Sequence, residues 1–413
     1  MTRRSLMNSL AAAALSAVAV IASAAATAAP AVREGRVIPN QYIVVLNAKA
    51  IPHGELAQGI RTLAQTVLTA VGGGVVLNHY QSALLGFSAR ITPLQAAALA
   101  QLPFVAHVEA DQMMSTTATQ TGATWGLDRV DQRAMPLNGT YIYRDQGGAG
   151  VHVYVIDTGL NANHREFTGR VGTGRNFASN SSSRLCVSFG INCAAPVATN
   201  TTDCNGHGTH VAGTAVGTVY GVAKKATVHP VRVLGCGGSG SNAGVIAGVD
   251  WVRANSVKPA VANMSLGGGD SPALDVAVQN LIASGVAIAV AAGNDSANAC
   301  AGSPNKVAQA ITVGSTTNTD AMSSFSNFGS CVDVFAPGSS ITSANYANNT
   351  GSSVLSGTSM ASPHVAGALA LLLGQTPSAT PSDLAISLLG DATPGVLTGL
   401  GAGSPNALLY VAR

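Results

Sequence analysis

Three polar side chains lie in short segments whose residue types suit nucleophilic catalysis. Asp157 ends an apolar run and is followed by Thr-Gly, and His207 stands between two glycines. Ser359 precedes a strongly apolar segment, so its hydroxyl is expected at or near a helix N-terminus. A serine becomes a strong nucleophile when a histidine takes its proton and a carboxylate orients that histidine. We therefore interpret these three residues as a candidate catalytic triad.

A fourth segment could stabilise the negative charge that such an attack creates. Asn294 follows Ala-Ala-Gly at the end of a strongly apolar run. Its carboxamide can donate a hydrogen bond toward the oxyanion of a bound carbonyl. An ordinary turn asparagine is the alternative for this residue taken alone. The four segments together, with the acid, the histidine and the serine in that order, favour acyl transfer by an activated serine.

Other chemistries for the same residues are less well supported. Asp-Thr-Gly also occurs in aspartic proteases, usually in two copies, but this chain has one copy. His207 and His210 could share a metal, yet no glutamate lies between them, as a His-Glu-x-x-His zinc helix requires. An α/β-hydrolase esterase would have glycine where this chain has Ala361, and its acid would follow the serine. A non-catalytic relative would not need Asp157, His207, Ser359 and Asn294 together, so we expect an enzyme. Since the zinc pattern is incomplete, we expect no catalytic metal.

Five short apolar runs, separated by helix-like segments, indicate the framework that would position these side chains. Such runs are typical of strands buried on both faces, and their alternation with helices predicts an α/β fold with a doubly wound, mainly parallel sheet. Sites in such folds collect at the carboxyl ends of the strands, where Asp157 and Asn294 fall. The runs are 151–156, 228–234, 260–264, 286–292 and 310–313.

Residues 42–112 predict a smaller α+β domain ahead of this sheet. The expected order is β-α-β-β-α-β, the split arrangement of a ferredoxin-like domain, with one face of the sheet open for docking. Segment 113–122, rich in Ser, Thr and Gln, is expected to be an exposed connector that a protease can cut. The predicted strands and helices are 42–46, 55–70, 75–80, 84–89, 93–102 and 105–109.

The first residues predict an export signal. Arg3 and Arg4 precede an apolar run over 10–22, and the Ala-Thr-Ala at 26–28 offers the small residues that a signal peptidase accepts. A membrane anchor is the alternative, but the run is too short to span about 30 Å of hydrocarbon. The arginine pair also resembles a twin-arginine signal, so both export routes stay open.

Composition limits the partners and the compartment. Only 9% of the residues are charged, the net charge is +3, and no basic run interleaves with aromatics, so we expect no binding to nucleic acid. The cysteines form an even set that usually pairs in an oxidising compartment, and none has the C-x-x-C spacing of a zinc site. They are Cys186, Cys193, Cys204, Cys236, Cys300 and Cys331.

From about residue 118 onward the chain resembles the subtilisin-like serine proteases, within them the proteinase K branch and most closely the aqualysin type. Residues 42–112 are similar to the inhibitory propeptide of that family. The resemblance implies a signal peptide over 1–28, a propeptide over 29–117 and a catalytic domain over 118–413. It rests on the segments 155–159, 205–213, 263–268, 291–294 and 357–364.

The resemblance implies a secreted, monomeric and self-processing endopeptidase of broad specificity. Ser359 would attack the scissile carbonyl, His207 would carry the proton, and Asp157 would hold the imidazole tautomer. The oxyanion would be bound by Asn294 and the Ser359 N–H. Protein and peptide substrates would pair as an added strand, and the propeptide would act as inhibitor and folding aid. The implied edge and pocket residues are Gly238, Ser239, Gly240, Ser265, Leu266, Gly267, Gly268, Ala291, Ala292 and Gly293.

The resemblance also implies disulfides and structural calcium. Two bonds of the aqualysin type match Cys204 with Cys236 and Cys300 with Cys331, and the remaining pair is then Cys186 with Cys193. Two family calcium sites resemble oxygen-bearing residues of this chain, although solvated turns are the alternative for both. The residues of the first are Asp128, Asp131, Gln132 and Asn138, and that of the second is Asp333 with nearby backbone carbonyls.

Overall fold

The computed structural model describes five stretches of the chain, residues 36–47, 56–113, 117–144, 146–178 and 195–411. By its contacts the chain divides into two compact units, Met1–Ser115 and Thr116–Arg413. The expected signal peptide and the expected bond between Cys186 and Cys193 lie outside the described residues.

The first unit is the small α+β domain that the sequence predicts. Its elements are β1 (Arg36–Leu46), α1 (Leu56–Ala70), β2 (Val75–Tyr80), β3 (Gly86–Arg90), α2 (Pro93–Leu99) and β4 (Val105–Met113). The strands lie in the order β2-β3-β1-β4 and all pair antiparallel, which confirms the split β-α-β-β-α-β arrangement. Ile60 and Leu68 of α1, Leu99 of α2, and Val44 and Phe87 of the sheet form one buried apolar core.

The second unit is built around a nine-stranded sheet. Its first half contains β5 (Thr117–Thr121), α3 (Trp125–Val130), β6 (Thr140–Arg144), β7 (His152–Asp157), β8 (Arg175–Asn176), α4 (His207–Val216), β9 (Thr227–Arg232), α5 (Asn242–Asn255) and β10 (Ala260–Met264). Its second half contains α6 (Pro272–Ala283), β11 (Ala287–Ala291), β12 (Ile311–Thr316), β13 (Val334–Pro337), β14 (Ile341–Ala344), β15 (Ser352–Leu355), α7 (Thr358–Gln375), α8 (Pro381–Asp391), β16 (Thr393–Pro394) and β17 (Ala407–Leu408). Short 3₁₀ turns occur at Arg165–Phe167 and Ala299–Ala301.

The large sheet is doubly wound and mainly parallel, as the apolar runs predict. Its order is β16-β17-β13-β12-β11-β10-β7-β9-β8, and every pair is parallel except β16 with β17. The strand order reverses around β7, because β9 and β8 follow on one side while β10 to β13 follow on the other. Ligands of open α/β sheets bind beside such a reversal, at the carboxyl ends of the strands.

Strand β7 shows why the sequence contains unbroken apolar runs. Val153 and Val155 belong to the core that includes α4 and α7, whereas Tyr154 and Ile156 belong to the core that includes α5 and α6. Successive side chains of a strand point to opposite faces, so a sheet covered on both faces favours apolar residues at consecutive positions. The helices that carry His207 and Ser359 therefore lie on the same face of the sheet.

Part of the predicted connector is a strand. Residues 117–121 form β5, which pairs antiparallel with β6 and places Ala118 opposite Tyr143. We expected irregular structure because this segment lacks an apolar period. Its alternating threonines are β-branched and favour extended backbone, and that preference decides the conformation once β6 offers an edge.

Two disulfides join described residues of the second unit. Cys204 is bonded to Cys236 with a Cα–Cα distance of 4.9 Å, and Cys300 is bonded to Cys331 with a distance of 5.3 Å. These are the two pairs that the family resemblance implies. The first bond joins the segment before His207 to the segment that precedes Gly238, so it ties two loops of the candidate site together.

Candidate active site

Three elements of the second unit bring the predicted polar side chains to one edge of the sheet. Asp157 is the last residue of β7, α4 begins at His207, and Ser359 is the second residue of α7. Asp157 is fully buried, and His207 and Ser359 line the same cavity of about 360 Å³. The arrangement therefore places a buried acid, a histidine and a helix-terminal hydroxyl within one site.

The acid fixes the orientation of the imidazole. His207 Nδ1 lies 2.8 Å from Asp157 Oδ1, and the same oxygen accepts the Thr158 N–H at 2.7 Å. A carboxylate only accepts in these contacts, so Nδ1 carries the proton and Nε2 keeps its lone pair. The His207 side chain is 26% exposed, which leaves Nε2 free to act as a base toward the cavity.

The surroundings of His207 raise its pKa above the usual value of 6.5. Burial lowers the pKa, but the charge of Asp157, its hydrogen bond to the ring and the charge of Asp203 raise it by more. These carboxylates therefore favour the imidazolium form that appears when the histidine takes a proton from a nucleophile.

We expect kcat/KM to rise with pH through an ionisation whose midpoint lies above 6.5. His207 must be neutral to accept a proton. Because its pKa is raised, the imidazolium form, which cannot act as a base, persists to higher pH. Initial rates on a peptide substrate without titratable groups, measured from pH 5 to 10, give the midpoint directly. An acidic limb centred at or below 6.5 contradicts the electrostatic account of this residue.

The Ser359 hydroxyl donates to the backbone carbonyl of Ser265 at 3.2 Å. To give a proton to His207 Nε2, this hydroxyl would have to rotate away from the carbonyl. The Ser265 side chain in turn donates to the Ser359 carbonyl at 2.7 Å and accepts from Asn263 at 2.9 Å. Asn263 also accepts from the Ser362 hydroxyl at 2.8 Å, so buried side chains fasten the first turn of α7 to the end of β10.

Asn294 is oriented so that its amide nitrogen is the group available to a ligand. Its Oδ1 accepts from the backbone N–H of Thr358 at 2.8 Å and from the Thr358 hydroxyl at 2.9 Å. Because both donors hold the oxygen, Nδ2 points the other way. Asn294 is exposed and lines a cavity of about 540 Å³ together with Ser359. It can therefore donate toward an oxyanion next to the serine.

The structure brings most of the implied substrate-binding residues to these two cavities. Gly267 and Gly268 line both, whereas Ala292 is fully buried, and its carbonyl accepts from the side chains of Asn305 and Asn327. Ala292 thus lies behind the pocket wall and supports it. The implied residues at the smaller cavity are Gly238, Ser239, Gly240, Ser265, Leu266, Gly267 and Gly268. Those at the larger cavity are Leu266, Gly267, Gly268, Ala291 and Gly293.

Sequence reasoning missed the side chains that support the site. Asn263, Asp203 and Thr358 are buried, and each bonds to segments far away along the chain. Only the adjacency of Asn263 and Thr358 to implied site residues could have drawn attention to them. Nothing in the local pattern singles out Asp203.

The zinc alternative for His207 and His210 is not supported. His210 is buried, and its Nε2 lies 2.9 Å from the carbonyl of Ile341 and 3.2 Å from that of Ser353. Burial lowers the pKa of His210 to about 4, so the ring is neutral and donates to these carbonyls. Within the described stretches, no three metal-ligating side chains of the His, Cys, Asp or Glu types converge.

The first set of implied calcium ligands binds mainly its own loop. Asp128 and Asp131 accept backbone N–H groups of residues 138–142. Asn138 Oδ1 accepts the backbone N–H of Thr140. Gln132 presents its amide nitrogen, a donor, to two carbonyls. The oxygen-rich donor set suits calcium, but an ion here would rely on the remaining lone pairs, backbone carbonyls and water.

The second implied calcium ligand is a partly buried carboxylate. Burial raises the pKa of Asp333 to about 6, although the hydrogen bond from the backbone N–H of Thr312, 2.8 Å away, acts in the opposite direction. A cation beside Asp333 would favour its charged form. Its oxygens therefore remain suitable for calcium if backbone carbonyls complete the shell.

Comparisons with known proteins agree with the geometry. The subtilase family profile matches residues 148–403, and that of peptidase inhibitor I9 matches residues 41–117. An extracellular serine proteinase of Thermus sp. (strain Rt41A) is 51% identical over 391 residues, which cover 90% of this chain and 90% of that protein. Alkaline serine exoprotease A of Vibrio alginolyticus is 50% identical over 381 residues, or 90% of this chain and 67% of that protein.

A solved structure is similar as well. The crystal structure of a cold adapted subtilisin-like serine proteinase matches with a TM-score of 0.64 and 50% identity, over 71% of this chain and all (100%) of that one. Among the described helices, none combines the length and the apolar composition needed to cross a bilayer.

Proposed function

Because this chain belongs to the subtilase family and is a subtilisin-like serine endopeptidase, we propose that Asp157, His207 and Ser359 are its catalytic triad. The observation that carries the proposal is the 2.8 Å contact between His207 and Asp157, with His207 and Ser359 on one cavity. Asn294 and the backbone N–H of Ser359 form the proposed oxyanion hole.

Each side chain of the proposed site takes a defined part in the reaction. The Ser359 hydroxyl passes its proton to His207 Nε2 as Oγ attacks the scissile carbonyl, and Asp157 stabilises the imidazolium that results. The Asn294 amide donates to the carbonyl oxygen as it becomes an oxyanion. His207 then protonates the leaving amine. Water hydrolyses the acyl-enzyme with the same histidine as base.

A covalent inhibitor tests the proposed nucleophile. Treatment with a sulfonyl fluoride should stop peptide hydrolysis, and peptide mass spectrometry should locate the label on Ser359. Prior incubation with a slowly cleaved peptide should slow labelling, because both reagents compete for one hydroxyl. A label on another serine, or hydrolysis that continues after full labelling of Ser359, contradicts the proposal.

Substrates of this enzyme are proposed to bind as an added strand with broad sequence preference. Residues 238–240 and 265–267 line the smaller cavity together with Ser359. Their glycines leave the backbone groups accessible, and backbone pairing does not depend on side-chain identity. The 540 Å³ cavity beside Ser359 would receive one side chain of the substrate.

The chain is proposed to be a secreted precursor with a signal peptide over 1–28, a propeptide over 29–117 and a catalytic domain over 118–413. The match to peptidase inhibitor I9 and the division into two units support this plan. The extracellular relative supports secretion. We propose that the catalytic domain acts as a monomer without nucleic acid or a membrane anchor.

The separated propeptide should inhibit the mature enzyme in trans. Purified residues 29–117 are expected to slow peptide hydrolysis at micromolar concentration until they are digested, and to raise the refolding yield of denatured catalytic domain. The catalytic domain contains many long-range parallel strand pairings, so its unaided refolding should be slow. The propeptide would accelerate this step. An equal concentration of an unrelated domain of similar size is the control. Unchanged hydrolysis together with unchanged refolding would remove this role.

Structural calcium is also part of the proposal, on the basis of family membership. Excess chelator should lower the melting temperature of the inhibited mature enzyme, because an ion at a hundred times its Kd stabilises the folded state by about 2.7 kcal/mol. Restoring calcium, but not magnesium, should recover the original value. A melting temperature that the chelator leaves unchanged removes both implied sites.

A further inference from the structure

We propose that Asp203 is a positioning residue that holds Asp157 and His207 in register for proton transfer. The inference rests on the proposed triad and assigns a task to a carboxylate that does not contact the substrate. Asp203 is buried, with 5% of its surface exposed, four residues before the first residue of α4. It accepts three hydrogen bonds at Oδ1 and two at Oδ2.

One contact reaches the strand that carries the acid. The Thr158 hydroxyl donates to Asp203 Oδ1 at 2.9 Å and accepts the Gly208 N–H at 2.8 Å. Thr158 follows Asp157 directly, and its own N–H binds the catalytic carboxylate. The end of β7 is therefore connected through a single hydroxyl to both Asp203 and the first turn of α4.

The remaining contacts organise the loop and helix that carry the histidine. Asp203 Oδ1 accepts the N–H groups of Asn205 and Gly206 at 2.9 and 2.8 Å. Its Oδ2 accepts the N–H of Thr209 at 2.9 Å and the Thr209 hydroxyl at 2.6 Å. The N-cap position is Gly206, which has no side chain to bind the free N–H groups of the first turn. Asp203 and Thr158 replace that missing cap.

The charge of Asp203 acts on the same histidine. Burial lowers the pKa of His207, and the charge of Asp203 is one of the causes that raise it, after the charge and the hydrogen bond of Asp157. Arg232 is a cation near Asp203. Burial lowers the pKa of Arg232, and the charge of Asp203 acts in the opposite direction. The Arg232 guanidinium also donates to the carbonyl of Thr202 at 2.9 Å. His210 is neutral, since its pKa is about 4. Asp203 thus stabilises the imidazolium while it fixes the ring's position.

The test uses Asp203→Asn in the mature enzyme, with active sites counted by covalent titration. The new NH₂ group must face donors on one side of the former carboxylate, so the loop shifts and the negative charge is lost. We expect kcat to fall about 10- to 100-fold, the cost of a displacement of about 1 Å, with KM nearly unchanged. The acidic limb of kcat/KM should move to lower pH.

Glu166→Gln is the matched control. Glu166 is fully buried, and its carboxylate accepts the backbone N–H groups of Val219 and Tyr220 beyond the other end of α4. This variant should lose stability without moving the acidic limb or kcat. If Asp203→Asn also changes only the melting temperature, Asp203 is a structural residue and the proposal is wrong.

A second pair of variants covers the case in which Asp203→Asn fails to fold. Thr158→Val removes only the bridging hydroxyl and should lower kcat about tenfold, whereas Thr158→Ser restores the hydroxyl and should restore kcat. Equal kcat values for the two variants overturn the proposal. Failure of the triad itself is seen separately, as activity that survives complete labelling of Ser359.

Discussion

Ser359→Ala is expected to lower kcat by about 10⁶-fold, the loss known for subtilisin without its nucleophile, and to leave the precursor uncut near Ala118. The same hydroxyl should perform both reactions, because Ser359 shares one cavity with His207. Intact-mass analysis of the purified precursor measures processing, and a peptide assay with pre-processed enzyme measures turnover.

Ser356→Ala is the control for this experiment. Ser356 lies three residues earlier, is exposed, and its hydroxyl accepts the backbone N–H of Ser340. Its loss should leave both processing and turnover close to those of the parent chain. Spontaneous maturation of the pure Ser359→Ala precursor would contradict the assignment of the nucleophile.

Asn294→Leu should lower kcat about 10²–10³-fold with little change in KM, as when subtilisin loses its corresponding donor. The amide nitrogen would bind the oxygen only once negative charge develops, so its removal affects the transition state more than the bound substrate. The substitution also deprives buried Thr358 of the oxygen that accepts its N–H and hydroxyl.

Asn294→Asp separates these two effects. The carboxylate keeps the acceptor for Thr358 but has no hydrogen to donate, so kcat should fall at least as far as in Asn294→Leu. The melting temperature should stay nearer that of the parent. A rise in KM that accounts for the whole loss of kcat/KM in both variants would assign Asn294 to substrate binding instead.

The sequence predicts most of the fold because burial leaves a clear local pattern. A strand covered on both faces is apolar at nearly every position, so β7, β9, β10, β11 and β12 could each be located within a few residues. The first unit was equally predictable, since its helices and strands have different apolar periods. Strand β5 was missed because Thr119 and Thr121 are exposed, and because its partner β6 lies beyond the segment itself.

The sequence points to the side chains of the candidate site but not to the side chains that support them. Asp157, His207 and Ser359 stand in recognisable motifs, whereas Asp203 matters through bonds to Thr158 and Thr209 that only the folded chain creates. The position of Ala292 behind the pocket wall is another such property. Hydrogen bonds between distant segments carry no signal in a window of ten or twenty residues.

The pairing of β5 with β6 bears on self-digestion. Processing near Ala118 would create a new chain end in the presence of a protease that accepts many sequences. A protease binds a chain by pairing with its backbone, and Ala118 to Thr121 already use one edge of theirs in the two-stranded sheet with Thr140 to Tyr143. Cleavage within β5 therefore requires this pairing to open first, both at maturation and afterwards, so autolysis should begin where the backbone is unpaired.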